Sequence, residues 1–224
     1  MEVSPCLLEA HDLYRFYHVG EEETLALKGV SFLLRQGEFV VVQGPSGSGK
    51  STLLNCLAGL DEPDGGYVNI GGHRMSRKPE RVRSKMRARD IGIMLQSDNL
   101  FSHLSVEENI ELQMRLAGCW RSKEVPELLE RLGIAELRHA RPTGLSGGEA
   151  ARVGLAVAMS PQPTVLLADE PTGELDRRSE EAVLELLDDY RRKGRAVLVV
   201  THSQSVAEAA DRRIELLDGK VIHE

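Results

Sequence analysis

Eight consecutive residues carry the strongest chemical signal in the chain: Gly44-Pro45-Ser46-Gly47-Ser48-Gly49-Lys50-Ser51, followed by Thr52. They match G-x-x-x-x-G-K-[ST] in full. They stand between the apolar run Glu38–Gln43 and a helix-forming run over Lys50–Leu60 that ends near Gly59. A strand, a glycine loop and a helix in that order make a phosphate cradle. Glycines let the backbone turn its N–H groups inward. The helix start adds its positive dipole end. Lys50 is then placed to reach the β- and γ-phosphates, and the Ser51 hydroxyl to bind Mg²⁺. An ordinary Gly/Ser turn is the plain alternative, and the flanking strand and helix count against it.

Such a cradle needs a carboxylate for the metal at the end of a buried strand. Val165–Ala168 is apolar and leads into Asp169 and Glu170. Asp169 suits Mg²⁺, and Glu170 suits a general base for the attacking water. Adjacent acids also mark solvated strand ends; the cradle upstream tips the reading toward catalysis.

The elements that must hold these residues follow from hydrophobic pattern. The first forty residues read as strands, with Leu25–Leu34 closed by the Gln36-Gly37 turn. Tyr67–Ile70 reads as an edge strand and Ile91–Leu95 as a strand. Ser105 followed by acids starts a helix over Val106–Leu116, and further helices fit Glu124–Leu132 and Gly147–Met159. This block is a helical insertion in an otherwise α/β chain. Beyond it, strand and helix alternate over Val165–Ala168, Arg178–Lys193, Ala196–Val200 and Gln204–Ala210, the pattern of parallel βαβ units. Arg213–Leu217 and Lys220–Ile222 flank Asp218-Gly219, a hairpin signal.

Bulk properties narrow the function classes. A chain of 224 residues fits one large α/β domain. A net charge of −7 with 4% aromatic residues argues against nucleic acid as the main partner. The basic stretch Arg74–Arg89 reads as a solvated helix face. Three scattered cysteines, Cys6, Cys56 and Cys119, form neither a disulfide framework nor a zinc motif, which favours a cytoplasmic setting. The start, with Glu2, Glu9 and Asp12, does not read as a signal peptide. Apolar runs are too short to span a bilayer, so any membrane work requires another chain.

Leu145-Ser146-Gly147-Gly148-Glu149 (LSGGE) lies upstream of TVLLADEPTGELD and of Thr201-His202-Ser203. With these motifs in this order, essentially the whole chain resembles the ABC ATPase family. Through GPSGSGKSTLLNCLAGLD, ADEPTGELD and VAEAADRRIELLDGK it is most similar to the branch of lipoprotein-release and macrolide-export ATPases. Locally, Ser146 and Glu149 form a capping box. The resemblance adds that Ser146, Gly147, Gly148 and Glu149 approach the γ-phosphate of ATP held by a second copy. It further implies that Gln96 contacts Mg²⁺ or the attacking water and senses the membrane partner, and that His202 contacts the γ-phosphate. Tyr17 corresponds to the aromatic that stacks on adenine, with Tyr14 and Phe16 near enough to compete, and Asp176 to the aspartate coupling two sites across a dimer.

The implied fold is a P-loop NTPase α/β core with a mainly parallel central sheet, an N-terminal antiparallel β-subdomain and an inserted α-helical subdomain. Residues 1–96 and 161–224 form the core and about 97–160 the helical part. The implied function is an ATPase using ATP and Mg²⁺, dimerising on ATP, seated on the inner face of the cell membrane and driving a separate integral membrane permease. A division-type ATPase acting through a permease-like partner is the alternative, and a nucleotide-binding scaffold a more distant one. Ala150 and Ala151 stand where the branch has two glutamines, and Glu174 where it has Asn or a small residue.

Overall fold

The computed structural model describes residues 4–19, 22–97 and 99–223, so Met1–Val3, part of the reading against a signal peptide, lie outside the described residues. β1 (Cys6–Val19) and β2 (Glu22–Arg35) pair antiparallel with several bulges. β3 (Phe39–Gln43) runs into the glycine loop and α1 (Lys50–Leu57) leaves it. β4 (Gly65–Ile70) joins the antiparallel sheet beside β1, and the two-residue β5 (His73–Arg74) continues it, giving the order β2-β1-β4-β5. The Tyr67–Ile70 strand is therefore covered on both sides, not an edge; β5 is too short to leave a pattern in the sequence.

The basic stretch folds as α2 (Glu80–Asp90), which buries none of its residues. Arg83 bonds Glu62 and Glu80, and Arg87 bonds Glu80 and the Gly59 carbonyl. β6 (Ile91–Met94) follows. Then come α3 (Val106–Leu116), α4 (Val125–Arg131) and α5 (Gly147–Met159), with α3 and α5 each opened by a complete capping box. β7 (Val165–Asp169), α6 (Arg177–Arg192), β8 (Ala196–Val200), α7 (Gln204–Ala209) and the hairpin β9 (Arg212–Leu217) and β10 (Lys220–His223) complete the chain.

The second sheet has the order β10-β9-β3-β8-β7-β6, all pairs parallel except β10 with β9. Its central strands are apolar throughout except where β3 and β7 end in Gln43 and Asp169, because both faces are covered. Alternation then splits them between two cores. Val40, Val42, Val165, Leu167, Leu198 and Val200 face one core with the antiparallel sheet and α1. Phe39, Val41, Leu166, Ala168, Val197 and Val199 face the other with α3 to α7. The register pairs Val42 with Val200 and Val200 with Asp169, which brings the carboxyl ends of β3, β8 and β7 side by side. That edge is where parallel sheets bind ligands.

Candidate functional site

The glycine loop has a shape only glycine allows at two points. Gly44 has φ 154°, and a β-carbon there would lie 2.1 Å from the Leu216 carbonyl. Gly49 has φ 101°, and its β-carbon would lie 2.5 Å from the Ala26 carbonyl. Lys50, almost fully buried, donates from Nζ to the carbonyls of Gly44 and Pro45 at 2.8 Å each, which holds the ammonium over the mouth of the loop. Ser48 Oγ is buried with no hydrogen-bond partner among the described residues.

Ser51 Oγ donates to Asp169 Oδ2 at 3.1 Å. Burial pushes the Asp169 carboxyl above its usual range, against the Ser51 hydrogen bond, and neighbouring Glu170 adds to the rise. The Ser51 hydroxyl and the buried Asp169 carboxylate, a pair of hard oxygens, fit Mg²⁺. Among the described residues no group of three or more His, Cys, Asp and Glu could hold a metal alone.

Glu170 is held by the end of β8. Its Oε2 accepts from Thr201 Oγ1 at 2.9 Å and its Oε1 from the His202 N–H at 3.0 Å. The His202 Nε2 lies 3.9 Å from Oε1. Glu170 adopts φ 48°, a left-handed conformation uncommon for a residue with a side chain and found where a site demands it.

Tyr17, Ser46, Gly47, Gly49, Lys50, Ser51, Thr52, Gln96, Asp169, Glu170 and His202 line one open cleft of about 490 Å³. Gly147 lines a different cavity, of about 780 Å³, which meets the cleft only at Gln96, Glu170 and His202. Ser146 and Glu149 are tied to each other: Ser146 N donates to Glu149 Oε2 at 2.8 Å and Ser146 Oγ accepts from Glu149 N at 3.4 Å. Asp176 caps α6, its carboxylate accepting from Ser179 N at 3.1 Å and Ser179 Oγ at 2.8 Å. Neither Ser146, Gly147, Gly148, Glu149 nor Asp176 lines the cleft of their own chain.

Sequence reasoning missed the clamp on Tyr17. The phenol donates to Asp61 Oδ2 at 2.7 Å, Arg15 Nε donates to the same oxygen at 2.8 Å, and the Arg15 guanidinium lies 4.7 Å from the Tyr17 ring centre. Tyr14 takes no part: its ring lies against Gly29 and Gly65. Burial pulls the Asp61 carboxyl up, but the Arg15 and Tyr17 hydrogen bonds outweigh it and hold the group below the usual carboxylate range. Such a group stabilises the fold above its unfolded pKa and loses that contribution as pH falls through the lower folded one. Asp61→Ala is therefore expected to cost about 1–2 kcal/mol at neutral pH. Urea denaturation of the two proteins should show curves that converge on acidification below the ordinary Asp range; a constant gap at all pH values would exclude this account.

Known proteins agree with the geometry. A sequence profile described as ABC transporter matches residues 27–173. An uncharacterised ABC transporter ATP-binding protein of Thermotoga maritima is 41% identical over 96% of this chain and 93% of its own length. A macrolide export ATP-binding/permease protein of Hyphomonas neptunium is 41% identical over 98% of this chain, which spans 35% of that protein. Two dimeric structures of MJ0796, a bacterial ABC transporter cassette, are 35% identical and superpose with TM-scores of 0.92 and 0.93 over 97% of both chains. One is a post-hydrolysis state bound to ADP and Pi.

Proposed function

This chain belongs to the ABC transporter family as an ATP-binding domain that hydrolyses ATP, and from that premise we propose that two copies close around two Mg-ATP and move a separate membrane permease. One observation supports the pairing that the resemblance implies: the glycine tip of α5 lies outside the phosphate cleft of its own chain, where it is available to nucleotide on a second copy.

In this reading Tyr17, backed by Arg15 and Asp61, presents a flat face to adenine. The backbone N–H groups from Gly44 to Thr52, and the start of α1, bind the phosphates, with Lys50 leaving its loop carbonyls for β- and γ-oxygens. Ser51, Asp169 and Gln96 would hold Mg²⁺, and the ion would supply positive charge beside the phosphates. Glu170 takes the proton from water as its oxygen attacks the γ-phosphorus, and the bond to the ADP oxygen breaks. Thr201 and the His202 N–H point that carboxylate, and the His202 ring is left to meet the γ-phosphate. Ser146, Gly147, Gly148 and Glu149 of one copy close over the nucleotide of the other, and Asp176 links the two sites.

Residues 97–160 are read as the helical part that the permease moves against the core. No helix among the described residues is long and apolar enough to cross a membrane. In this reading the chain is a peripheral subunit on the cytoplasmic face, as its resemblance to ATPases that drive a permease implies. A groove of about 430 Å³ between α2 and the end of α3, lined by Val82, Lys85, Met86, Arg89, Arg115 and Leu116, offers the permease an apolar floor with a cationic rim. Leu116 is 63% exposed and Trp120, stacked under Arg115, 48% exposed.

Gly148→Asp tests the pairing. An acid in the first turn suits the helix, and the cleft is untouched, so a single copy is expected to bind ATP as before. ATP-driven pairing, read by sedimentation, and turnover should both fall at least about tenfold from repulsion with phosphate. A variant that pairs normally, or one that loses ATP binding as a monomer, refutes a tip acting across the dimer.

A further inference from the structure

We propose that Glu174 is an internal gate on the pairing reaction: its carboxylate occupies the approach to the α5 tip, and a phosphate from a second copy must displace it. The inference rests on the pairing described above and adds what sets its threshold. Glu174 lies on the loop between β7 and α6, and it folds back over the two glycines. A β-carbon on Gly147 would come within 1.7 Å of Glu174 Oε2, and one on Gly148 within 3.1 Å of the Glu174 carbonyl. One carboxylate oxygen thus points end-on at the first helical residue, into the space a side chain on Gly147 would fill.

Charge and partners distinguish this contact from a surface accident. The other acid at the tip, Glu149, is turned away, spent on the Ser146 N–H and hydroxyl. Glu174 forms no ion pair with any cation among the described residues, and Arg152, whose guanidinium reaches the Gly148 face of the tip, donates to Ser179 Oγ at 3.0 Å. An unpaired anion beside the positive end of a helix 13 residues long is held there by the dipole. A γ-phosphate seeks the same place with more charge. Bound, it must push Glu174 aside or sit beside a like charge, and either outcome weakens pairing until ATP and copy number are high enough. Ala150 and Ala151, which line the same cavity, provide no long polar side chain to draw the carboxylate elsewhere.

The experiment compares Glu170→Gln with the double variants Glu170→Gln/Glu174→Gln and Glu170→Gln/Glu174→Ala. The first change blocks turnover so that pairs accumulate; the second removes the gate's charge with and without its bulk. Sedimentation in saturating Mg-ATP gives the protein concentration for half-pairing. Both double variants are expected to pair at about tenfold lower concentration in roughly 50 mM salt, with the gap narrowing in roughly 500 mM salt as the repulsion is screened. Glu174 is exposed, so neither change threatens folding. Equal or weaker pairing by Glu174→Gln, or a gap indifferent to salt, overturns the gate while leaving the pairing itself intact. A Glu170→Gln parent that never pairs with ATP removes both.

Discussion

Glu170→Gln is expected to lower steady-state phosphate release by about 10²–10⁴-fold while leaving ATP bound. The substitution removes the one carboxylate that accepts from both Thr201 Oγ1 and the His202 N–H. An amide serves those donors almost as well. Its oxygen accepts from His202, and its NH₂ donates to the Thr201 hydroxyl, which already accepts from Ser203 N at 3.0 Å. The local structure should therefore survive, and φ 48° at this position is unchanged in kind. What disappears is a group able to take a proton. Nucleotide remains, so the pair is trapped. A phosphate-release assay with size measurement in Mg-ATP checks both halves. A rate within about threefold of the parent would remove Glu170 from the chemistry.

Lys50→Ala should fail earlier, at binding. The ammonium is the cation buried at the cradle, poised on the carbonyls of Gly44 and Pro45. Its removal deletes the charge that meets the β- and γ-phosphates, and the cavity left is filled by water, not by another cation. ATP affinity and turnover are each expected to drop at least about 100-fold, a loss typical of a preorganised charge facing a phosphoryl group. Lys50 makes no ion pair among the described residues, so without nucleotide the loss should be confined to its two loop hydrogen bonds, about 1–3 kcal/mol, read as a modest fall in melting temperature. The two variants separate cleanly by equilibrium binding of ATP: retained in Glu170→Gln, lost in Lys50→Ala. A Lys50→Ala protein that binds ATP like the parent would mean the loop holds phosphate by backbone alone.

The parts of this site legible in the sequence are those whose geometry is local. The phosphate loop is one continuous motif of eight residues, although the close approaches that demand glycine at Gly44 and Gly49 come from Leu216 and Ala26, far off in sequence. Ser146 and Glu149, three apart, announce a helix start that the structure contains. β8 over Ala196–Val200 and α5 over Gly147–Met159 keep the bounds their apolar pattern implies. The Tyr17 clamp was invisible because Arg15 and Asp61 lie 46 residues apart and meet only when the antiparallel sheet closes on α1. Asp61 stood in plain view after Gly59-Leu60, yet nothing local assigns it a partner. The basic stretch starts its helix late because Pro79, at φ −54° and ψ 144°, holds the chain extended before Glu80. Asp176 shows the opposite error of emphasis: a resemblance supplied it with a role across a dimer, while its local work as the cap of α6 was readable from Ser179 three residues on.

The alternating faces of the parallel sheet have a mechanical consequence. The phosphate cradle grows from α1, bedded in one oily layer, whereas α3 to α5 are bedded in the other. The two layers share strands but no side chains, so a load on the helical layer would bear on packing separate from that which beds the cradle. Gln96, carried just past β6 on the boundary, is where such a load would first be felt. On the proposed reading, the fold would serve as a clutch, with the nucleotide held on one side of the sheet and the load received on the other.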